Sequence, residues 1–514
     1  MTSSGFARGA TAARNVRGQP GRHPGIGTAL GRMAIALMVA FGALAATAGY
    51  WQVFRAGDLS SSPDDAAVVA AGRHVVRGEI TDRDGERLAW TALDANGEPY
   101  RKYRSPSLSG VLGYASRSFG TAGLERAFDA QLTGITPVDP IADLVKKFRT
   151  DPSDPQALRT TLVARLQQAA VVALGAHRGA VVMLDPRTGE VLVLASTPVF
   201  DASAVADPST ATETFASLQA DKDLPLLPRA TQGRYVPGSV FKIVTAVAAL
   251  GSGAVTTDTT FAEQPGAEKD GLLVSGFRVR DGHHRATGAT PLDFLGATEA
   301  SCNIWYALAG LQTGGDALAE WAGRLGFGAP IPFDLPTAVS QVTGGGGTFG
   351  GGFFDAVELA NAAYGQAETV VTPLQMALVA STVANDGTLM RPRLVMSFAG
   401  RAGTEAVPPE VWRRILEPAL ARDIAVAMRR AVDGKIGRLY TRGAAVKGLT
   451  VAGKSGTAEL GGSGEPNSWF IGFAPAEDPE IVIAVVVEEG GKGAERAAPI
   501  AGKLLTAWKA WAGR

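Results

Sequence analysis

The chain has a single cysteine, Cys302, in 514 residues, so no internal disulfide can brace the fold. With no histidine near it in sequence, that thiol reads as a small packed residue rather than as a nucleophile. Histidine is almost as scarce: there are five, and the adjacent pair His283-His284 lacks the spacing of a metal site, so no metal is expected. Neither sign of charge is in excess, with 49 basic and 49 acidic residues, which removes the positive field that a nucleic-acid partner would need. Charged residues make up 19% of the chain and hydrophobic ones 46%, proportions that exclude global disorder and suit an exported globular enzyme of two folded domains.

Charge is missing altogether from Met33 to Val53, 21 residues in which only Thr47 and Gln52 are clearly polar, enough for one transmembrane helix over 33–53. Residues 1–32 before it carry five arginines and no acid. Such a basic tail stays in the cytoplasm and places everything after Arg55 outside. Ala46-Thr47-Ala48 also resembles a signal-peptidase site, so a cleaved leader competes for the same stretch; either way the chain is exported.

What is present is concentrated in three motifs of the second half: Ser239-Val240-Phe241-Lys242, Ser301-Cys302-Asn303 and Lys454-Ser455-Gly456-Thr457. No other lysine has a serine three residues before it, and no other asparagine has one two before it. Pro237-Gly238, followed by a nearly apolar run to Leu250, predicts a turn feeding a buried helix with Ser239 in its first turn. The spacing then stacks Lys242 against Ser239. A serine hydroxyl is a poor nucleophile until a neighbouring base takes its proton, and a lysine is that base only if its pKa falls. Burial and a second ammonium both push it down, and Lys454 is the candidate second ammonium. Free N–H groups at the helix start offer one donor to an oxyanion. Taken alone, the pair also fits a capping serine and a lysine whose head reaches water.

Ser301 and Asn303 place a hydroxyl and an amide where they can relay a proton and orient a peptide, although such groups are also ordinary helix caps. The small residues around Lys454 let a backbone approach a ligand closely, which predicts a strand lining a cleft. There Lys454 supplies charge for a carboxylate, Ser455 a hydroxyl contact, and the Thr457 backbone N–H, following Gly456, a second oxyanion donor. A lysine exposed in a turn is the competing reading.

With these motifs the sequence resembles the transpeptidase domain of class B penicillin-binding proteins. The likeness extends to Arg77-Gly78-Glu79-Ile80-Thr81-Asp82-Arg83-Asp84-Gly85, Gly120-Thr121-Ala122-Gly123-Leu124-Glu125, Thr372-Pro373-Leu374-Gln375 and Trp469-Phe470-Ile471-Gly472, and spans about residues 75–475. Ser455 replaces the commoner threonine and Val236 a frequent second proline. The resemblance implies an α+β fold with a five-stranded antiparallel sheet flanked by helices, no cofactor, and a membrane-anchored D,D-transpeptidase. In that reading Ser239, Lys242, Ser301 and Asn303 are catalytic, and Lys454, Ser455, Gly456 and Thr457 bind substrate. It further implies peptidoglycan stem peptides and lipid-linked glycan as substrates, β-lactams as inhibitors, and a partner glycan polymerase of the shape, elongation, division and sporulation family.

Punctuation in the chain organises the rest. Asp58 to Asp65 reads as a tether, residues 54–175 as a small N-terminal pedestal module and 176–514 as the transpeptidase domain. Strands are expected on either side of Asp185-Pro186-Arg187-Thr188-Gly189, over Asn467 to Ala474 and over 481–487, with helical patterns between Ser239 and Arg430 and a closing helix from Ala494 to Trp511. The run Gly344 to Gly352 lacks the lysine and hydroxyl of a phosphate loop and reads as a flexible loop near the cleft. Two other classes share the motifs: a D,D-carboxypeptidase or β-lactamase, for which Glu299 is a candidate water-activating base, and a β-lactam sensor or divisome scaffold.

Overall fold

The computed structural model describes residues 76–135, 154–281, 290–460 and 464–513, with six further positions between Met33 and Leu44. The expected basic tail over 1–32, the tether and the His283-His284 pair lie outside the described residues, as does the expected span apart from those six positions. Among the described residues no helix is long and apolar enough to cross a membrane.

In chain order, β1 (Ile80–Thr81), β2 (Arg87–Leu93), β3 (Pro99–Tyr103) and β4 (Ala157–Thr160) come first, then the hairpin of β5 (Gly179–Leu184) and β6 (Val191–Thr197). A short hairpin of β7 (Leu272–Val274) and β8 (Phe277–Val279) follows, then β9 (Val395–Gly400), β10 (Gly403–Ala406), β11 (Ala452–Ala458), β12 (Asn467–Ala474) and β13 (Ile481–Val487). The helices that matter below are α1 (Ala164–Leu174), α2 (Lys242–Gly251), α3 (Gln264–Asp270), α4 (Phe294–Ala300), α5 (Asn303–Thr313), α6 (Pro373–Ala384), α7 (Pro418–Asp433) and α8 (Ala497–Trp511).

Five antiparallel strands in the order β11-β12-β13-β5-β6 make the central sheet, as expected. β13 and β5 are apolar at every position, and β12 from Trp469 onward, because both faces of the sheet are covered. In β13, Ile481, Ile483, Val485 and Val487 pack with Leu504, Leu505 and Trp508 of α8 and with Leu166 and Ala170 of α1. Val482, Ala484 and Val486 point the other way, into the core that holds α6 and α2. Each such side chain contributes about 1.5–3 kcal/mol relative to exposure, which explains why a continuous apolar run here is a strand and not a loop. The turn between β5 and β6 closes as expected, with Gly189 N donating to Asp185 O at 2.9 Å and the Asp185 carboxylate accepting from Arg187 N at 2.7 Å.

All twelve residues of α6 are buried. Its entry explains the Thr372-Pro373-Leu374-Gln375 segment: Thr372 Oγ1 accepts from Gln375 N at 3.1 Å, and Pro373 sits where no N–H is needed. The closing helix α8 begins at Ala497, three residues later than the sequence pattern suggests.

A second sheet runs β10-β9-β4-β1-β2-β3, so residues 395–406 complete the sheet begun by the N-terminal segment. Beneath it lies an ion cluster. Glu125, with no exposed surface, accepts from Arg77 Nε at 2.9 Å and Arg101 Nε at 2.6 Å, while Arg77 also reaches Asp129 at 2.7 Å. Burial alone raises the Glu125 carboxyl, but Arg101 and Arg77 together overcome it and hold the group below the usual carboxylate range. The segments around Arg77 and around Gly123-Leu124-Glu125, separate in sequence, are the two halves of this one cluster.

Candidate active site

Ser239 stands on a tight 3-10 turn, Gly238–Phe241, that leads into α2. The turn is forced by close packing against β11. Gly238 has φ +57°, and a Cβ there would lie 2.6 Å from Thr457 O. On the facing strand, a Cβ on Gly456 would lie 2.9 Å from Pro237 O and 3.1 Å from Val240 N. Two glycines thus let the backbones of the first and third motifs meet without side chains between them. Ser239 stays half-buried and lines a groove of about 1010 Å³ together with Asp281, Asn303, Tyr364, Thr457 and Glu459.

α2 buries Lys242 completely, and its Nζ donates to Ser301 O, to Ser301 Oγ at 3.3 Å and to Asn303 Oδ1 at 2.7 Å. Nζ also lies 5.6 Å from the centre of the Tyr306 ring, a cation–π contact. Lys454, 2% exposed on β11, donates to the same Ser301 Oγ at 2.7 Å and to Ser455 O at 3.0 Å. One hydroxyl therefore bridges both lysines. It is presented by an unusual backbone: Ser301 terminates α4 with φ 61° and ψ 37°, in the left-handed region that a non-glycine residue enters at a cost of about 1–3 kcal/mol. Asn303 opens α5 and Cys302 caps it, Sγ accepting from Trp305 N at 3.3 Å.

Both lysines are shifted in the direction that burial and a neighbouring ammonium require. Burial brings Lys242 down to about 8, while Asp281 and then Cys302 oppose the fall. Lys454 is held well below its ordinary value, by burial first and by Lys242 second, again against Asp281. Mutual repulsion between the two ammonium groups adds to burial in lowering the pair. Ser301 Oγ, hydrogen-bonded to both, offers a proton path between them.

The structure brings Ser239, Lys242, Ser301, Asn303, Lys454 and Thr457 to one place. Ser455 is buried in β11 at 7% exposure, and Thr457 is exposed, its Oγ1 accepting from Gly493 N at 3.2 Å. Glu299 is elsewhere: its carboxylate accepts from Arg430 Nε at 3.0 Å and Nη2 at 2.7 Å and from Ile436 N at 3.0 Å, and it does not line the groove. Gly344 and Gly345 of the glycine run do line it. Asp281 escaped the sequence reading because nothing in Arg278-Val279-Arg280-Asp281 marks it; only the return of β8 onto the second motif does. Glu268, Asp281 and Cys302 bring potential metal ligands within 4.8 Å of one another. In this structure the thiol donates to Glu268 at 3.3 Å, and burial, reinforced by Asp281, raises its pKa well above the ordinary value.

Residues 179–506 match the family described as the penicillin binding protein transpeptidase domain, and residues 77–152 match the penicillin binding protein A dimerisation domain. A peptidoglycan D,D-transpeptidase, PbpA, of Mycolicibacterium smegmatis is 35% identical over 505 residues, covering 93% of this chain and 98% of that protein. The peptidoglycan D,D-transpeptidase MrdA of Escherichia coli K12 is 29% identical over 438 residues, 76% of this chain and 64% of its own length. Among solved structures, penicillin-binding protein A from M. tuberculosis as its ceftriaxone acyl-enzyme superposes with a TM-score of 0.73 at 30% identity, over 85% of this chain and 99% of that one.

Proposed function

The chain belongs to the penicillin-binding protein transpeptidases, and on that premise we propose that its groove cross-links peptidoglycan stem peptides through an acyl-enzyme on Ser239. It is a serine D,D-transpeptidase inhibited by β-lactams. The observation that carries the assignment of residues is the Ser301 hydroxyl bridging two buried lysines beside a half-exposed serine.

The terminal carboxylate of the donor peptide docks at Lys454, and an anion there favours the charged ammonium. Lys454 holds its proton against that anion, and Lys242, connected to it through Ser301, is the neutral member of the pair that acts as base. Ser239 Oγ then attacks the carbonyl of the penultimate D-alanine, forming the C–O bond as Lys242 Nζ takes the hydroxyl proton. The backbone N–H groups of Ser239 and Thr457 receive the oxyanion, and Ser455 contacts the substrate across Gly456. As the C–N bond breaks, the departing D-alanine amine takes a proton from Lys242 by way of Ser301, with Asn303 fixing the lysine head. An amine from a neighbouring stem then attacks the acyl carbon, and Ser239 leaves with its proton restored. β-Lactams stop at the acyl stage because their leaving group stays tethered.

The proposal places residues 54–175 as a pedestal module and 176–514 as the transpeptidase domain, anchored by the single span 33–53 in the cell membrane with the catalytic domain outside. Lipid-linked glycan reaches the groove there, and a glycan polymerase of the shape, elongation, division and sporulation family contacts the span and the module.

Intact mass of the full-length chain after incubation with a penicillin, compared with Ser239→Ala, tests the assignment. A stable adduct of one drug mass, absent from the variant, is expected. An adduct lost within minutes as drug is consumed identifies a hydrolase instead, and no adduct overturns the assignment of Ser239.

A further inference from the structure

The segment that follows β8 is docked on the second motif by two hydrogen bonds. Asn303 Nδ2 donates to Arg280 O at 3.3 Å, and the Ile304 backbone N–H donates to Asp281 Oδ2 at 3.4 Å. The first contact fixes which way the Asn303 amide faces. With Nδ2 on the Arg280 carbonyl, Oδ1 is left to accept from Lys242 Nζ at 2.7 Å. Asp281 is half-buried on the wall of the groove that Ser239 lines, so its charge is partly desolvated and acts strongly on its neighbours.

We propose that Asp281 is a positioning residue of this site: held on the N-terminus of α5, its carboxylate supplies the counter-charge to the lysine pair Lys242 and Lys454. The inference rests on the reading of Ser239 as the acylated nucleophile and Lys242 as its base.

The surroundings make this carboxylate the relevant one. α2 contributes Lys242 and β11 contributes Lys454. α5 contributes the Tyr306 ring under Lys242, with Cys302 at its cap, and α3 contributes Glu268, which is engaged with that thiol. Arg280, Tyr364 and Glu459 stand further along the groove wall. Asp281 opposes the loss of charge at Lys242 and at Lys454 alike. The sign of its removal follows. Acylation needs neutral Lys242, so the rate rises with pH through the lysine's pKa, and losing a nearby negative charge moves that pKa down.

The test is the second-order rate of acylation of the full-length chain by a fluorescent penicillin, measured from acidic to alkaline pH, for the parent, Asp281→Asn and Asp281→Glu. The parent limb is expected near 8. Asparagine keeps an acceptor for Ile304 N but removes the charge, so the limb moves to lower pH by about one unit and acylation on the acid side is about tenfold faster. A merely structural residue would lose rate at every pH and would not gain any. If Asp281→Asn melts with the parent and its limb does not move, the proposal is overturned. If Asp281→Asn does not fold, Asp281→Glu decides: with the charge retained, the limb stays at the parental pH, and a downward shift overturns the proposal. A parent that forms no Ser239 adduct removes the underlying reading and the proposal with it.

Discussion

Ser301 shows how much a single residue is asked to do. Its carbonyl and hydroxyl both reach Lys242 only because the backbone turns left-handed at φ 61°, a conformation in which glycine would be relaxed but would offer no hydroxyl. Strain is accepted where the relay is made. Gly238 is the opposite case, a position where any side chain is excluded. With φ +57° and Thr457 O at 2.6 Å from a notional Cβ, Gly238→Ala must push the turn bearing Ser239 away from β11. Acylation by a labelled penicillin should slow by about 10²-fold, the effect of an ångström-scale misplacement. Circular dichroism should remain that of the parent, and an unchanged acylation rate would show that the turn has room to adjust.

Among the elements, α4 and α7 hold the second motif in place. α7 buries Ala421, Ile424, Ala427, Met428, Ala431 and Val432 along one stripe, and from its last turn Arg430 reaches across to Glu299 near the C-terminal end of α4. Glu299 is only 5% exposed, whereas Arg430 is 45% exposed and can rehydrate, so the lost pair is worth less than a fully buried one. Glu299→Ala should lower stability by about 1–3 kcal/mol, chiefly by leaving Ile436 N without its acceptor, and should slow acylation through Ser301 while leaving deacylation unaccelerated. Urea unfolding and a deacylation time course check both. Slower hydrolysis of an adduct in the variant than in the parent would restore Glu299 as a water-activating base. On the other side of the groove, β11 is the end strand of its sheet, and the turn of Ser239 packs closely against it at Gly456 and Thr457.

For the whole molecule, the joint between the N-terminal segment and the rest is a shared sheet, β9 and β10 pairing onto β4. The Glu125 cluster lies under it with Arg101 at 1% exposure and Arg77 at 10%. Removing the acid leaves two buried guanidinium groups facing each other, so Glu125→Ala should destabilise by about 3–5 kcal/mol. Thermal melting checks this, and a shift of only a degree or two would mean that water replaces the carboxylate. Because the folded-state carboxyl is depressed, its contribution is complete above the ordinary glutamate range and is lost as pH falls through the lowered value.

Local pattern alone carried the strands of the central sheet, the buried helix after Ser239, the hairpin at Asp185 to Gly189 and the three motifs, because each depends on short-range periodicity or on residue types that chemistry rarely brings together by chance. The partnership of Arg77 with Glu125, and the place of residues 395–406 in the N-terminal sheet, were not legible, since neither leaves a local trace. Within the site, the residues of the motifs could be named from the sequence, but the Ser301 bridge between the two lysines, the redirection of Glu299 to Arg430 and the arrival of Asp281 on the second motif were decided by packing. Desolvation and Coulomb interaction depend on distances between segments far apart in the chain, and only the folded backbone sets those distances.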